Sequence, residues 1–220
     1  EQQLGYPLFE RVRGKLVPTP EANRLFVNVT EVTASLDRLR HVAGNLREAE
    51  QGRIRIAATP ALGLELLPGA IAEYRAAHKE IFFSVETRHH DGVCTALLEA
   101  GVDIGLAFAP DVRPGIVSET LGTGSFCVLA PAGLDFKKHR LTVHDLADLP
   151  YISLDRRGPL GRLVSAHVAA SEVNLQSIAW AETYQVGKSL VAQGAGVMIA
   201  DQVTAYSGTT QGLRIWPLEP

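Results

Sequence analysis

An α/β fold, built of parallel strand–helix units behind one long helix, is the class this sequence predicts. Three observations carry it: a heptad of leucine and valine with no proline between Pro20 and Gly52, a change of character near Gln51-Gly52-Arg53, and a regular alternation of short apolar runs with amphipathic stretches from there on. With 220 residues, 46% apolar and 20% charged, the composition is that of a soluble globular protein of one or two domains.

The long helix comes first. Thr19-Pro20-Glu21 reads as a start: threonine caps, proline is pre-set for the first helical position, and glutamate complements the positive end of the dipole. Leu25, Val29, Val32, Leu36, Leu39, Ala43 and Leu46 then recur at alternating intervals of four and three, which is a heptad seam. Gly52 is a suitable stop, so the helix is expected from Pro20 to about Glu50, well beyond the ~11–12-residue mean. A stripe this narrow and long favours a partner helix over packing on its own domain. Leu25, Val29, Val32, Leu36, Leu39 and Leu46 are therefore read as a dimerisation seam.

Beyond Arg53 the pattern predicts strand Ile54–Ala58, helix Leu64–His78, strand Ile81–Thr87, helix Asp91–Ala100 capped by Asp91, and strand Val102–Phe108. A second module opens at Phe126-Cys127-Val128-Leu129. It continues with a short helix near His144–Leu149, strand Tyr151–Ser153, helix Leu160–Ser171, strand Ser177–Glu182, helix Val186–Gln193 and strand Val197–Ala200. A last strand is expected at Leu213–Trp216. Neither internal repeats nor low-complexity tracts interrupt this order.

Charge and cysteine content narrow the function. The balance of 21 basic and 24 acidic residues is −3, with a pI near 6.2, which excludes a polybasic nucleic-acid coat and an acidic disordered tail. Mean hydropathy is +0.06, and no apolar run approaches the ~20 residues of a membrane span. The first residues lack the features of a secretory signal. Cys94 and Cys127 are too few for a disulfide framework, so a reducing cytoplasm is the expected location. Enzyme signatures are missing: there is no Gly-x-Ser-x-Gly elbow, no His-Glu-x-x-His and no phosphate loop, and Gly194-x-Gly196 follows a helix instead of preceding one. No catalytic residue, metal site or cofactor is expected.

Two signatures make the chain resemble the LysR-type transcriptional regulators. One is Leu4-Gly5-Tyr6-Pro7-Leu8-Phe9-Glu10-Arg11 followed by Leu16-Val17-Pro18-Thr19-Pro20-Glu21-Ala22, similar to that family's junction of recognition helix, wing and linker helix. The other is an effector-domain skeleton: Gly-Arg-Ile-Arg-Ile, Leu-Leu-Pro, Asp103-Ile104-Gly105-Leu106 and Val191-Ala192-Gln193-Gly194-Ala195-Gly196-Val197. The resemblance implies a two-lobed effector domain like the type 2 periplasmic binding proteins, preceded by a long linker helix and the remnant of a winged helix-turn-helix. On that pattern the wing remnant spans 1–19, the linker helix 20–51, the first lobe 52–122 with 204–220, and the second lobe 123–203. The lobes would be joined by crossings near Leu121–Phe126 and Ala200–Tyr206, and the chain would be a fragment of a longer regulator. Implied partners are promoter DNA, a small-molecule effector, and further copies of the chain as a homodimer or homotetramer.

Candidate site residues follow from both readings. Arg11, Arg13 and Lys15 surround Gly14 as at the tip of a β-wing touching phosphate, a contact that positions a protein without reading sequence. Thr59-Pro60-Ala61 follows the first strand and leads into a helix, so its hydroxyl and N–H groups are placed to hold a carboxylate, unless Thr59 merely caps the helix. His90 matches a pocket-lining position of the family, and Phe108 closes the third strand beside it. The adjacent His89 and His90 would point to opposite faces in a strand and need not converge in a turn, which argues against a metal. On the second lobe Ser153 ends a strand, and Glu182-Thr183-Tyr184 (with Gln185 next to it) lies between a strand and a helix, with Glu182 suited to an ammonium or guanidinium group. A carboxylate or amino-acid-like effector is the expectation; the alternative is a solute-binding protein of the same fold acting in transport.

Overall fold

The structure is a computed structural model of the chain and describes residues 1–50, 52–109 and 113–219, except for the side chains at 31, 34, 37, 38, 41 and 45–50. Strands β1 (Phe9–Val12) and β2 (Lys15–Pro18) form an antiparallel hairpin with Val12 opposite Lys15. The two-residue turn Arg13-Gly14 has φ of 52° and 82°, the pair of positive values a type I′ turn requires. Thr19 fastens the hairpin base to the helix behind it. Its buried hydroxyl donates to the Pro7 and Leu8 carbonyls (3.0 and 3.2 Å) and accepts from Ala22 N (3.1 Å).

Helix α1 (Pro20–Glu50) has the expected span, and Gly52 (φ +71°) turns the chain away after it. Among the described residues of this single chain most of the heptad stripe is uncovered. Val29, Val32, Leu36 and Leu39 are 49–65% exposed and Leu25 is half-buried, while the side chain of Leu46 lies outside the described residues.

The first lobe is a parallel sheet of β3 (Arg53–Ala58), β4 (Phe82–Thr87) and β5 (Ile104–Leu106) in the order β4-β3-β5, as alternating strands and helices demand. Helices α2 (Leu67–Ala77) and α3 (His90–Leu98) cover it. Two local expectations are corrected. The helix expected from Leu64 is a π-helical turn over Leu62–Leu66 followed by α2, because Pro68 has no N–H to give to the carbonyl one turn back. Asp91 does not cap α3; His89 holds the cap position without a side-chain bond, and Asp91 Oδ1 accepts from Arg113 Nη2 at 2.6 Å.

Residues 116–125 carry no helix or strand and lead to the second lobe. That lobe comprises β6 (Phe126–Pro131), a 3₁₀ turn (Val143–Leu146), β7 (Pro150–Leu154), α4 (Pro159–Ala170), β8 (Gln176–Ala181), α5 (Tyr184–Ala192), β9 (Met198–Asp201), α6 (Gln202–Tyr206) and β10 (Leu213–Pro217). The expected helix near His144 is only this 3₁₀ turn, closed by a Thr142–Asp145 capping box. Strand β6 is flanked antiparallel by β9 and β10, and β7 pairs parallel with β8. Val197 N donates to Pro150 O and Ile152 N to Val197 O (both 2.8 Å), which brings β9 beside β7. The core is two buried clusters on the two faces of this sheet, one around Val128, Leu146 and Ile199 and one around Leu129, Ile152 and Met198.

The placement of 204–220 in the first lobe is overturned. Asp201 caps α6, whose Thr204 N and Oγ1 both bond its carboxylate, so the chain turns back there instead of crossing. Strand β10 then runs beside β6, Ile215 opposite Leu129, and Trp216 is buried in the second lobe's core. An apolar strand goes where an open sheet edge and a hydrophobic face await it, and β6 offered both.

Candidate functional site

The two lobes face each other across a cleft of about 560 Å³, its solvent-open mouth included. Its walls come from the ends of strands and the starts of helices, the places where backbone N–H groups lack helical partners. From the first lobe come Thr59, Pro60 and Ala61 after β3, His89 and His90 after β4, and Phe108 after β5. From the second come Leu154 at the end of β7 and Asp155 after it, Gly158 to Gly161 at the start of α4, and Glu182 to Gln185 at the start of α5. Residues distant in sequence are thus gathered because parallel strands put all their C-terminal ends on one side of the sheet.

Thr59, Pro60, Ala61, His90, Phe108, Glu182, Thr183 and Tyr184 all line the cleft. Ser153 does not. Side chains alternate along β7, so Leu154 faces the cleft while the Ser153 hydroxyl is bonded to Ser177 Oγ (2.8 Å) and to Ala179 O (3.1 Å) on β8. The two readings of Thr59 also separate. The N–H groups of Leu62 and Gly63 go to its carbonyl, and its hydroxyl caps nothing.

The polar atoms of the cleft are unevenly satisfied. Thr59 Oγ1, Tyr184 Oη and both heteroatoms of the Gln185 amide are buried with no hydrogen-bond partner among the described residues. Leaving such groups dry costs on the order of 1–3 kcal/mol each, which a bound molecule or water recovers. Burial, reinforced by the nearby Asp201 and Tyr151, pushes the Tyr184 phenol up, so it remains a donor at neutral pH. His90, also in the lining, is only 5% exposed.

The rim carries charge. His89 Nε2 of the first lobe lies 3.1 Å from Glu182 Oε1 of the second, and Arg157 Nη2 lies 3.6 Å from the same oxygen. Arg157 also pairs with Asp155. Burial opposes ionisation of Asp155, yet bonds from the Arg157 N–H and guanidinium hold its carboxyl below the usual range. Apart from its histidines, the charged residues of the lining are both acidic, Asp155 and Glu182. No three His, Cys, Asp or Glu side chains stand together as metal ligands among the described residues, and no helix there is long and apolar enough to cross a membrane.

Sequence reasoning left Asp155 and the Gly158–Gly161 start of α4 out of the site, while Gln185, expected beside Tyr184, does line the cleft. The signals were a Gly-Pro pair one residue before the expected helix and Thr183, whose Oγ1 accepts from Val186 N at 3.4 Å and so begins α5 at Tyr184. Away from the cleft, Arg11, Arg13 and Lys15 are exposed on the hairpin and its turn.

The family model described as the LysR substrate binding domain matches residues 47–220. The HTH-type transcriptional regulator DgcR of Pseudoalteromonas sp is 35% identical over 221 residues, spanning 100% of this chain and 76% of that protein. The transcriptional activator protein LysR of Escherichia coli (strain K12) is 29% identical over 218 residues, 98% of this chain and 70% of its own. Among solved structures, HinK, a LysR family transcriptional regulator from Pseudomonas aeruginosa, shares the fold with a TM-score of 0.67 at 20% identity, covering 100% of this chain and 74% of that one.

Proposed function

The chain belongs to the LysR-type transcriptional regulators, which sense small-molecule effectors, and we propose that its effector binds in the interlobe cleft and is a carboxylate of amino-acid-like character. One observation carries the reading: both lobes direct buried, unpartnered polar atoms, Thr59 Oγ1 from one and Tyr184 Oη and the Gln185 amide from the other, into a single cleft. Thr59 supplies a hydroxyl and Ala61 a backbone N–H for a carboxylate, Pro60 having none and the Thr59 N–H being bonded to Leu106 O, while Glu182 and Asp155 supply negative charge for an ammonium or guanidinium group. No lysine or arginine lines the described cleft, so the anionic end is held by N–H and hydroxyl dipoles and the cationic end by carboxylates.

The effector acts by its differential affinity for two lobe arrangements, and the shift passes through subunit contacts and α1 to DNA-bound heads. In this reading Arg11, Arg13 and Lys15 touch phosphate, the heptad seam of Leu25, Val29, Val32, Leu36, Leu39 and Leu46 zips a homodimer that can pair into a tetramer, and the protein works in the cytoplasm without an enzymatic step. A thermal-shift screen of amino acids, opines and aromatic acids tests the ligand class. A stabilising zwitterion whose effect disappears in Thr59→Val supports the assignment; stabilisation undiminished by that change places the site elsewhere. Transport binding is disfavoured by the bare heptad face of α1, for which a solute carrier has no use.

A further inference from the structure

Behind the cleft, on the side away from its mouth, α6 joins parts of the chain that the effector would touch at their other ends. Its start is tied to the connecting segment, Gln202 N donating to Ser125 O at 3.0 Å. Its end is held by α5: Lys188 Nζ donates to the carbonyls of Thr204 (2.9 Å), Ala205 (3.3 Å) and Ser207. Three carbonyl acceptors around one ammonium make Lys188 a cap for a five-residue helix too short to be stable alone.

Helix α6 also packs on the π-helical turn Leu62–Leu66 of the other lobe. The contact is close at Gly208, whose φ is +61° and where an added Cβ would lie 2.7 Å from Glu65 Oε1. Burial holds the Lys188 ammonium below its usual pKa, and the negative charges of Glu65 and Asp201 partly oppose that shift. The π-turn begins one residue after Thr59–Ala61, and α5 begins with Tyr184 and Gln185. Thus α5, whose first residues line the cleft, and the π-turn, which directly follows the lining residues Thr59–Ala61, meet through α6. A π-turn inside a helix is rare and frequent at functional sites.

We propose that Lys188, with Glu65 opposite, is a clasp behind the cleft that sets the resting angle between the lobes. Lys188 is a positioning residue: it holds the end of α6 against the π-turn and touches no effector. The clasp rests on the cleft reading only for its regulatory meaning; its existence is tested without ligand. Amide hydrogen exchange of the ligand-free protein is followed at 62–66 and 202–208, with strands β3 and β6 as folding controls. In Lys188→Met both segments are expected to exchange about tenfold faster with the controls unchanged, Lys188→Arg restoring most of the protection. Glu65→Gln, at an exposed position that leaves folding intact, accelerates 62–66 by a smaller factor. If Lys188→Met speeds only 202–208, or Glu65→Gln leaves 62–66 unaltered, Lys188 is a helix cap alone and the clasp is wrong. Should Lys188→Met not fold, the Glu65→Gln result decides by itself. A clasp established this way with no zwitterion binding would overturn the effector class and leave the clasp standing.

Discussion

His89 Nε2 and Glu182 Oε1 meet at 3.1 Å, a contact that joins the residue before α3 in one lobe to the residue after β8 in the other across the interlobe cleft that both line. Both side chains are more than half exposed, so the contact adds little to folding stability. Its effect is on lobe closure. In His89→Ala or Glu182→Gln the ligand-free lobes open, and small-angle scattering should show a larger radius of gyration while the melting temperature stays within about 2 °C. An unchanged scattering profile in both variants would show that the contact does not hold the lobes.

Gly161 sits where the backbone of the cleft's second wall comes closest to itself. A Cβ there would fall 1.9 Å from Asp155 O, and backbone cannot step aside as a flexible side chain does. Gly161→Ala is expected to push Asp155 and its neighbours off α4, costing about 1–3 kcal/mol of stability. Any stabilising ligand should lose at least tenfold in affinity. Denaturant titration measures the first effect and thermal shift the second; a variant with wild-type values in both contradicts the crowding.

The bare face of α1 makes self-association sensitive to one charge. Placing a carboxylate in the seam with Val32→Glu or Leu39→Glu sets like charges against each other in an apolar interface. Sedimentation should show a dimer dissociating at concentrations at least tenfold above those for the parent. Arg24→Glu, at an exposed position outside the heptad seam, serves as the control and should leave the dimer intact.

Removing wing charges separates positioning from reading. Arg13→Ala and Lys15→Ala, in a regulator bearing its complete DNA-binding head, should weaken binding to specific and random DNA alike. Each neutralised phosphate contact lowers the salt slope of log K by roughly 0.9. Loss confined to the specific site would mean that these residues read bases.

Acid sensitivity has an identifiable contributor in the first lobe. The Arg55 guanidinium bonded to Asp103 (Nη2 to Oδ1, 2.8 Å), with the Arg55 N–H on Oδ2 (2.8 Å), holds the Asp103 carboxyl below its usual range. A depressed carboxyl contributes its stability above the unfolded-state value of ~3.9 and loses it as pH falls through the lower folded value. Asp103→Asn should therefore reduce stability at pH 7 and flatten the decline of the melting temperature below pH 4. A variant with an undiminished acid limb would assign that limb to other carboxylates.

The local grammar of the chain was legible without a structure. The heptad, Thr19, Pro20 and Gly52 determine α1, because helix propagation, capping and termination depend on neighbours within a few residues. Period and turn chemistry likewise determine which segments are strands, and the residues after those strands are the ones that line the cleft. Three matters belonged to tertiary structure. The partner of β10 depended on which sheet edge lay open, and the turn-back at Asp201 delivered it to β6. The facing of Ser153 depended on where β7 ends, since one residue of register exchanges the two sides of a strand. The meeting of Lys188, α6 and Glu65 joins segments far apart in sequence, and such a contact exists only once both lobes have folded and come together.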